Sequence, residues 1–296
     1  RRYAMKELLN SNPWEDFQVD NSIADTKEIY EKYIEFSKII KQLPKKELVK
    51  KGWLKDTEDT SLLVPLFQSI RSNTSKTLFR KNSTANEALY ALWLSRVTNI
   101  AQNRYFTNQV PKFKGITKEN LRECAKLSIN ENSIIDLPNY LANYGIILIY
   151  EESMTGMKLD GAVFKLVSGN PVIGISFRFP RLDSFWFTLL HELSHIVLHY
   201  PQLDTPIFDD METSSDELIE KQANRLAKNS FVERSIWRSC EPKYISSDKS
   251  VYKFSEEIGI HPAIVAGMLR HEKDSYTIFN KIINKTNTRK LVFNHE

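Results

Sequence analysis

Long apolar runs are missing from this 296-residue sequence, and cysteines are scarce. The longest hydrophobic stretches, residues 145–150 and 185–190, are far shorter than the roughly 20 residues that cross a bilayer. The amino end shows no signal-peptide pattern, so we expect a cytoplasmic protein without a membrane segment. The two cysteines, Cys124 and Cys240, lack CxxC spacing. This argues against a disulfide framework and indicates reduced thiols.

The excess of positive over negative charge is also small. The formal net charge of +4 is too small to require a nucleic-acid partner. Lysines concentrate in residues 41–55 and 281–290, where arginines and interleaved aromatics are sparse, so solvated helix faces explain them better than a phosphate-binding patch. Hydrophobic residues make up 41% of the chain, which is enough for a substantial core. The chain starts without methionine, and we expect it to be part of something longer.

Apolar periodicity predicts that the first half is almost wholly helical. The predicted helices cover residues 26–40, 61–71, 84–105, 117–127 and 133–144. The pattern changes at Gly145, where three short apolar or alternating segments predict a small, mostly antiparallel sheet. These segments are residues 145–150, 161–167 and 171–177. The expected fold class is therefore α+β, mainly helical, with a sheet of three or more strands packed on a following helix at residues 184–199.

The sequence suggests three parts. We predict a helical regulatory or partner-binding region over residues 1–135, a core over residues 136–240, and a helical extension over residues 241–296 packed on that core. Residues 253–272 have the spacing of a helix-turn-helix unit, but the second helix opens with Pro-Ala-Ile and offers no side chain that reads base edges. Packing is therefore the favoured role there, and His261 is either a corner residue or a donor near the site.

The strongest motif is HExxH, formed by His191, Glu192 and His195 on the predicted helix. Histidines four residues apart project from the same helix face, so both imidazoles can reach one metal ion. A glutamate beside the first histidine can take a proton from water without becoming a ligand. The alternative is that these histidines are hydrogen-bonded at the edge of a core. Because three of the six histidines fall within nine residues, we favour metal binding.

A catalytic metal site needs a third protein ligand and an open position. Our choice is Glu220, on a predicted helix at residues 216–229 that also carries Asn224 on the same face. The acidic rivals nearby are Asp209, Asp210, Glu212, Asp216 and Glu217. The first three fall in a segment after Tyr200 that we predict to be irregular, and the last two sit at the helix start, where the helix dipole alone favours acidic residues. Asn224 is expected to hydrogen-bond a ligand histidine from outside the ligand set. His199 has the wrong spacing for the three-histidine motif, so we expect it at most to act outside the ligand set or at the helix end.

These residues resemble a known family. The three strands followed by FWFTLLHELSHIVLH and IEKQANRLAK are similar to the ImmA/IrrE metallopeptidases, small zincin-like proteins that regulate bacterial stress responses and mobile elements. HPAIVAGML resembles the downstream helix of that family, and the likeness covers about residues 40–272. The resemblance implies zinc held by His191, His195 and Glu220, with Glu192 as the general base. Leu226 departs from the family, which often has phenylalanine there.

The resemblance also implies a function. We expect a zinc-dependent endopeptidase that cleaves a repressor or antitoxin in a bacterial stress, toxin–antitoxin or phage response, with residues 171–177 as an edge strand that aligns the substrate. LPKKELVKKGWL and ALYALWLSRV resemble the linker of longer members that carry a repressor-like or HigA-like DNA-binding unit. That unit is absent or reduced to the first 25 residues, so DNA contact is expected only indirectly or through a missing segment. The alternative is a DNA-associated antitoxin or transcriptional regulator that uses the peptidase fold as a sensor or scaffold. A homodimer is left open.

Overall fold

The computed structural model describes residues 43–57, 85–108, 110–209 and 218–293, together with Tyr30 and Ile34. The chain divides into two units, residues 1–43 and the compact unit Pro44–Glu296, which contains the sheet and the helices around it. The helices predicted at residues 26–40 and 61–71 lie outside the described residues, apart from Tyr30 and Ile34, which are helical. Within the described part of the chain, no helix has both the length and the apolar character of a membrane span.

The elements of the second unit follow in chain order. Before the sheet come α1 (Lys45–Lys50), α2 (Ala85–Asn108), α3 (Lys118–Lys126) and α4 (Ser133–Ala142). The strands are β1 (Ile147–Tyr150), β2 (Gly161–Lys165), β3 (Pro171–Ile175) and β4 (Ile207–Asp209), with α5 (Leu182–His199) between the last two. After them come α6 (Leu218–Phe231), α7 (Arg234–Arg238), α8 (Glu241–Tyr244), α9 (Asp248–Ile258), α10 (Pro262–Lys273), α11 (Asn280–Ile283) and α12 (Thr288–Phe293). Short 3-10 turns cover Leu127–Ile129 and Tyr200–Gln202.

The α+β class and the three predicted strands are confirmed. The sheet has the order β1-β3-β2-β4, in which β1 runs parallel to β3 and the other two pairings are antiparallel. Two expectations were wrong. The segment before Met211 was predicted to be irregular, yet it contains β4, whose three residues are too few to show a period. The strand at 171–177 was expected at an edge, but β3 has a partner on both sides and cannot accept another strand.

Each face of the sheet is covered by a helix. Successive strand residues point to opposite faces, so Gly174 and Ile175 of β3 face different helices. A Cβ at Gly174 would lie 2.5 Å from the Trp93 ring of α2, which places α2 on that face. Gly161, the partner of Ile175, would meet Glu192 and therefore faces α5. The two glycines allow both helices to approach the sheet closely, and this sets the depth of the HExxH helix.

The helix α5 lies at the centre of the core. Its apolar side is fully or almost fully buried, at Phe185, Trp186, Leu189, Leu190, Leu193 and Ile196. It packs against α6, α10 and α3 as well as against β2 and β3. Polar side chains on such a helix lose water on folding and need partners, so its histidines are the residues whose surroundings require an explanation.

The carboxyl-terminal corner is built as the sequence predicted. Gly259 ends α9 in the left-handed conformation, at φ +70°, and α10 then packs on α5. The ring of His261 accepts a hydrogen bond from the Ala263 backbone N–H through Nδ1, and its Nε2 lies 3.2 Å from Glu131 Oε1. Both ring nitrogens are thus engaged at the helix start. His261 is therefore a corner residue, as one of the two alternatives predicted, and not a donor beside the HExxH cluster.

A buried junction ties the upstream elements to the sheet at Glu151, directly after β1. Its carboxylate accepts a hydrogen bond from Trp53 Nε1 at 3.0 Å and pairs with Arg96 Nε at 2.8 Å. Trp93 Nε1 donates to the Glu151 carbonyl oxygen at 2.9 Å. Burial raises the pKa of the Glu151 carboxyl, and Arg96 and Trp53 oppose that rise. Residues 44–57 and α2 therefore both contact the sheet at Glu151.

Candidate metal centre

Three side chains from two neighbouring helices converge at the centre of the domain. His191 and His195 lie one turn apart on α5, and their Nε2 atoms are 3.0 Å from each other. Glu220, in the first turn of α6, places Oε2 3.0 Å from His191 Nε2 and Oε1 3.4 Å from His195 Nε2. One candidate ligand atom from each residue lies within 4.8 Å of the others, and all three residues are buried. The predicted trio is thus brought together.

The remaining ring nitrogens of both histidines also have partners. Asn224 Oδ1, one turn after Glu220, lies 3.1 Å from His191 Nδ1. His199 Nδ1 lies 3.1 Å from His195 Nδ1, and its own Nε2 lies 3.0 Å from Gln222 Oε1. Since an amide oxygen only accepts, His191 donates from Nδ1, and its Nε2 atom faces Glu220. Asn224 and His199 therefore occupy the outer positions in which the sequence placed them.

The electrostatics of the cluster favour a cation. Burial opposes ionisation of Glu220, but its close contacts with the His191 and His195 rings lower its pKa to about 2. Burial lowers the pKa of His195, which keeps that imidazole neutral. Burial also acts to lower the pKa of His191, yet the hydrogen bond to Glu220 and the nearby carboxylate of Asp209 outweigh it and raise that pKa. A proton between His191 and Glu220 is thus the competitor of a metal ion here.

Glu192 is the most unusual side chain of the site. It is fully buried, and neither carboxylate oxygen has a hydrogen-bond partner among the described residues. Burial raises the pKa of Glu192 well above its ordinary value, and the charges of Asp209, Glu220 and Asp160 raise it further. A Cβ on Gly161 of β2 would lie 2.5 Å from Glu192 Oε1. The carboxylate therefore fits against bare backbone, in a space that only glycine leaves open.

The donor set fits a bound metal. Two imidazole nitrogens and one carboxylate leave a tetrahedral ion one open position, which is the arrangement of catalytic rather than structural zinc sites. Ligand imidazoles with an engaged second nitrogen are the rule at such sites. The lone pairs on the two Nε2 atoms, 3.0 Å apart, repel each other unless a cation or proton lies between them. An unpartnered buried carboxylate alongside needs the same compensation.

Three residues around the cluster had little or no signal in the sequence. Asp209 was only a rival ligand in a segment expected to be irregular, yet β4 buries it with Oδ1 3.9 Å from His191 Nε2. Gly161 matters because it has no side chain, which leaves room for the Glu192 carboxylate. Only the three-dimensional packing shows this. Gln222 is two residues from Glu220, a separation that normally sends side chains to different helix faces. The other acidic rivals, Asp210, Glu212, Asp216 and Glu217, lie outside the described residues.

The HExxH helix α5 lies against a mixed sheet, and the next long helix, α6, supplies a glutamate to the same cluster. Residues 142–269 match the family model Peptidase_M78, described as the IrrE N-terminal-like domain. The match includes all four described strands, α5 and α6, and it supports the resemblance to the ImmA/IrrE family for this segment. A search of curated proteins found no match to the chain.

Proposed function

We propose that this protein is a zinc-dependent endopeptidase. The observation that carries the proposal is the fully buried, unpartnered carboxylate of Glu192 beside the cluster of His191, His195 and Glu220. A scaffold without turnover gains nothing from such a group, because an unpaired buried carboxylate costs folding free energy. The metallopeptidase family of residues 142–269 supports the same reaction class.

Each residue has a distinct role in this proposal. His191, His195 and Glu220 would hold the zinc, and a bound zinc would supply a Lewis acid that polarises the scissile carbonyl and acidifies water. Glu192 accepts a proton from the attacking water and delivers it to the leaving amine. Asn224 holds the His191 ring in place through Nδ1. Closure of the site by α5, α6 and β2 removes bulk water around Glu192 and strengthens its electrostatic interactions.

The edge strand β4 is our candidate for substrate alignment, in place of the strand at 171–177. In the sheet formed by the described residues, β4 lies at one edge, next to β2. Asp209 is the β4 residue opposite Gly161 and therefore faces α5, while Phe208 faces α2 and stacks on Tyr90 with ring centroids 6.1 Å apart. An extended peptide that pairs with this edge runs past the cluster.

The substrate is proposed to be a regulatory protein of the repressor or antitoxin type, within a bacterial stress, toxin–antitoxin or mobile-element response. The resemblance of the core to ImmA/IrrE proteins supports this, and the upstream helical region is the proposed partner-binding part. The Glu151 junction supports the assignment, because it fixes residues 44–57 and α2 to the sheet that carries the active-site helix. DNA contact, if any, is indirect in this proposal.

The test is incubation of the purified full chain with the proteins encoded beside its gene, followed by mass spectrometry of new peptide termini. We expect one of these proteins to be cut, with the cut abolished by a chelator and restored by zinc. The Glu192→Gln variant, prepared identically, serves as the control for a contaminating protease. Cuts that persist in that variant or in the chelator contradict the proposal.

A further inference from the structure

The second ligand histidine is connected to the protein surface by two hydrogen bonds. His195 Nδ1 lies 3.1 Å from His199 Nδ1, and His199 Nε2 lies 3.0 Å from Gln222 Oε1. His195 and His199 are buried, whereas Gln222 is on the exposed side of α6. The close packing of α5 against α6 brings Gln222 over the end of the HExxH helix. An exposed amide therefore contacts a buried imidazole, which in turn contacts a ligand.

The chemistry of the three groups gives this chain of contacts a direction. The amide oxygen of Gln222 accepts, so His199 donates from Nε2. A neutral imidazole carries one N–H, which leaves His199 Nδ1 as an acceptor. The Nδ1···Nδ1 contact needs one donor, and this must be His195. With its proton on Nδ1, the neutral His195 has a bare Nε2, and that atom lies 3.4 Å from Glu220 Oε1.

We propose that Gln222 is a positioning residue that sets the tautomer of His195 through His199 and so leaves the Nε2 atom of His195 free to bind metal. This inference rests on the proposed function, because it takes His195 as a zinc ligand. A hydrogen-bond donor in place of the Gln222 oxygen reverses both contacts. It moves the His195 proton to Nε2, where it blocks ligation.

Helix α6 supplies the residues that fix the tautomers of both ligand histidines. Asn224 Oδ1 fixes the tautomer of His191 directly. Gln222 Oε1 fixes the tautomer of His195 through His199, and Glu220 is the third residue of the cluster. One turn of α6 thus carries the third ligand and both orienting amides. This gives an outer residue, Gln222, control over metal affinity even though it touches neither the metal ligands nor the substrate.

Two substitutions of Gln222 test the direction of its hydrogen bond with His199. Gln222→Glu keeps an acceptor, whereas Gln222→Lys offers only donors. We expect the lysine variant to bind zinc about 10- to 100-fold more weakly than the parent in chelator competition, as is typical for the loss of an outer hydrogen bond. The glutamate variant should bind at least as tightly as the parent. Equal affinity of the two variants would overturn the proposal.

A control is needed for charge, since lysine also repels a cation. Leu218 is 69% exposed and lies one turn before Gln222 on the same helix, so Leu218→Lys adds the same charge without touching His199. We expect this variant to bind zinc like the parent in about 1 M salt, where surface charge is screened, while Gln222→Lys stays weak. A matching loss in both variants would assign the effect to charge and contradict the proposal.

The tautomers themselves are visible by nitrogen NMR of the zinc-loaded full chain with labelled histidine. We expect His199 to carry its proton on Nε2 and His195 to carry its proton on Nδ1. A proton on His199 Nδ1 would overturn the inference, because His199 would then donate to His195 and could not donate to Gln222 from Nε2. If the parent chain binds no zinc, the proposed function fails. If it binds zinc and only the tautomers or the variants disagree, the inference fails alone.

Discussion

Two glutamates, both buried by the same sheet, have opposite surroundings. Glu151 lies at the end of β1, where Trp53 and Arg96 occupy both of its carboxylate oxygens. Glu192 lies on α5, where neither oxygen has a hydrogen-bond partner among the described residues and the nearest charged groups include other carboxylates. Burial raises the pKa of both carboxyls, but only Glu151 has cationic and N–H partners that oppose the rise.

The difference shows how a structural carboxylate can be told from a reactive one. A carboxylate with matched donors stabilises the fold, and its removal leaves those donors without a partner. A carboxylate among like charges destabilises the fold, so its presence needs another reason, such as a bound ion or a reaction. Of these two carboxylates, Glu151 is compensated by its partners and Glu192 is not.

The largest expected effect comes from Glu192→Gln. Removal of the general base should lower the cleavage rate by about 10²- to 10⁴-fold while zinc binding remains, because the amide keeps the shape of the side chain but accepts no proton. Peptide cleavage and zinc content of the same preparation provide the measurement. Loss of zinc together with activity would place Glu192 in the ligand set instead.

Glu151→Gln is the matched change at the other glutamate. It removes the charge that pairs with Arg96, and we expect the free energy of unfolding to fall by about 2 kcal/mol, the range for hydrogen bonds to charged groups. Cleavage per folded molecule should stay at the parent value. Urea unfolding followed by tryptophan fluorescence measures the first effect. An unchanged stability would show that the junction does not hold the upstream elements to the sheet.

Glu220→Ala tests the third ligand. Two imidazoles alone are a poor zinc site, so we expect zinc to be lost on dialysis, with an affinity at least about 100-fold lower than that of the parent. Zinc content by elemental analysis provides the readout. Retention of one zinc per chain would transfer the ligand role to Asp209, whose Oδ1 is 3.9 Å from His191 Nε2.

A smaller loss is expected for Asn224→Ala. This change removes the acceptor for His191 Nδ1–H, and outer hydrogen bonds of this kind contribute roughly 10- to 100-fold in metal affinity. Arg225→Ala, the next residue on the same helix, is the control and should bind zinc like the parent. An equal affinity for the Asn224 variant would mean that Glu220 and packing alone orient the His191 ring.

Two further changes concern the glycines that allow the helices to approach the sheet closely. An alanine Cβ at Gly174 would lie 2.5 Å from the buried Trp93 ring, and we expect a loss of about 1–3 kcal/mol in stability, typical of overpacking. Alanine at Gly161 meets the end of the Glu192 side chain and should displace the carboxylate. Cleavage should therefore fall more than stability does. Comparison of both readouts for both variants is the measurement, and identical profiles would contradict the assignment of the two faces.

The sequence alone could predict those site residues whose positions follow from spacing along a helix. His191 and His195 follow from the period of one helix, and Glu220 follows from the need for a third ligand on the next helix. The outer contacts of Gln222 and the close approach at Gly161 depend on how α6 and β2 pack on α5, and no local period encodes that packing. The strand β4 was missed for a related reason, since three residues acquire strand geometry only from pairing with β2. The division into parts at residues 135 and 240 stays a prediction.

The most direct measurement of the proposed metal site is zinc X-ray absorption on the purified full chain with one equivalent of metal. We predict that nitrogen and oxygen alone bind the metal, with the outer scattering of two imidazoles. A sulfur ligand, a single imidazole or a failure to retain zinc would contradict the site formed by His191, His195 and Glu220.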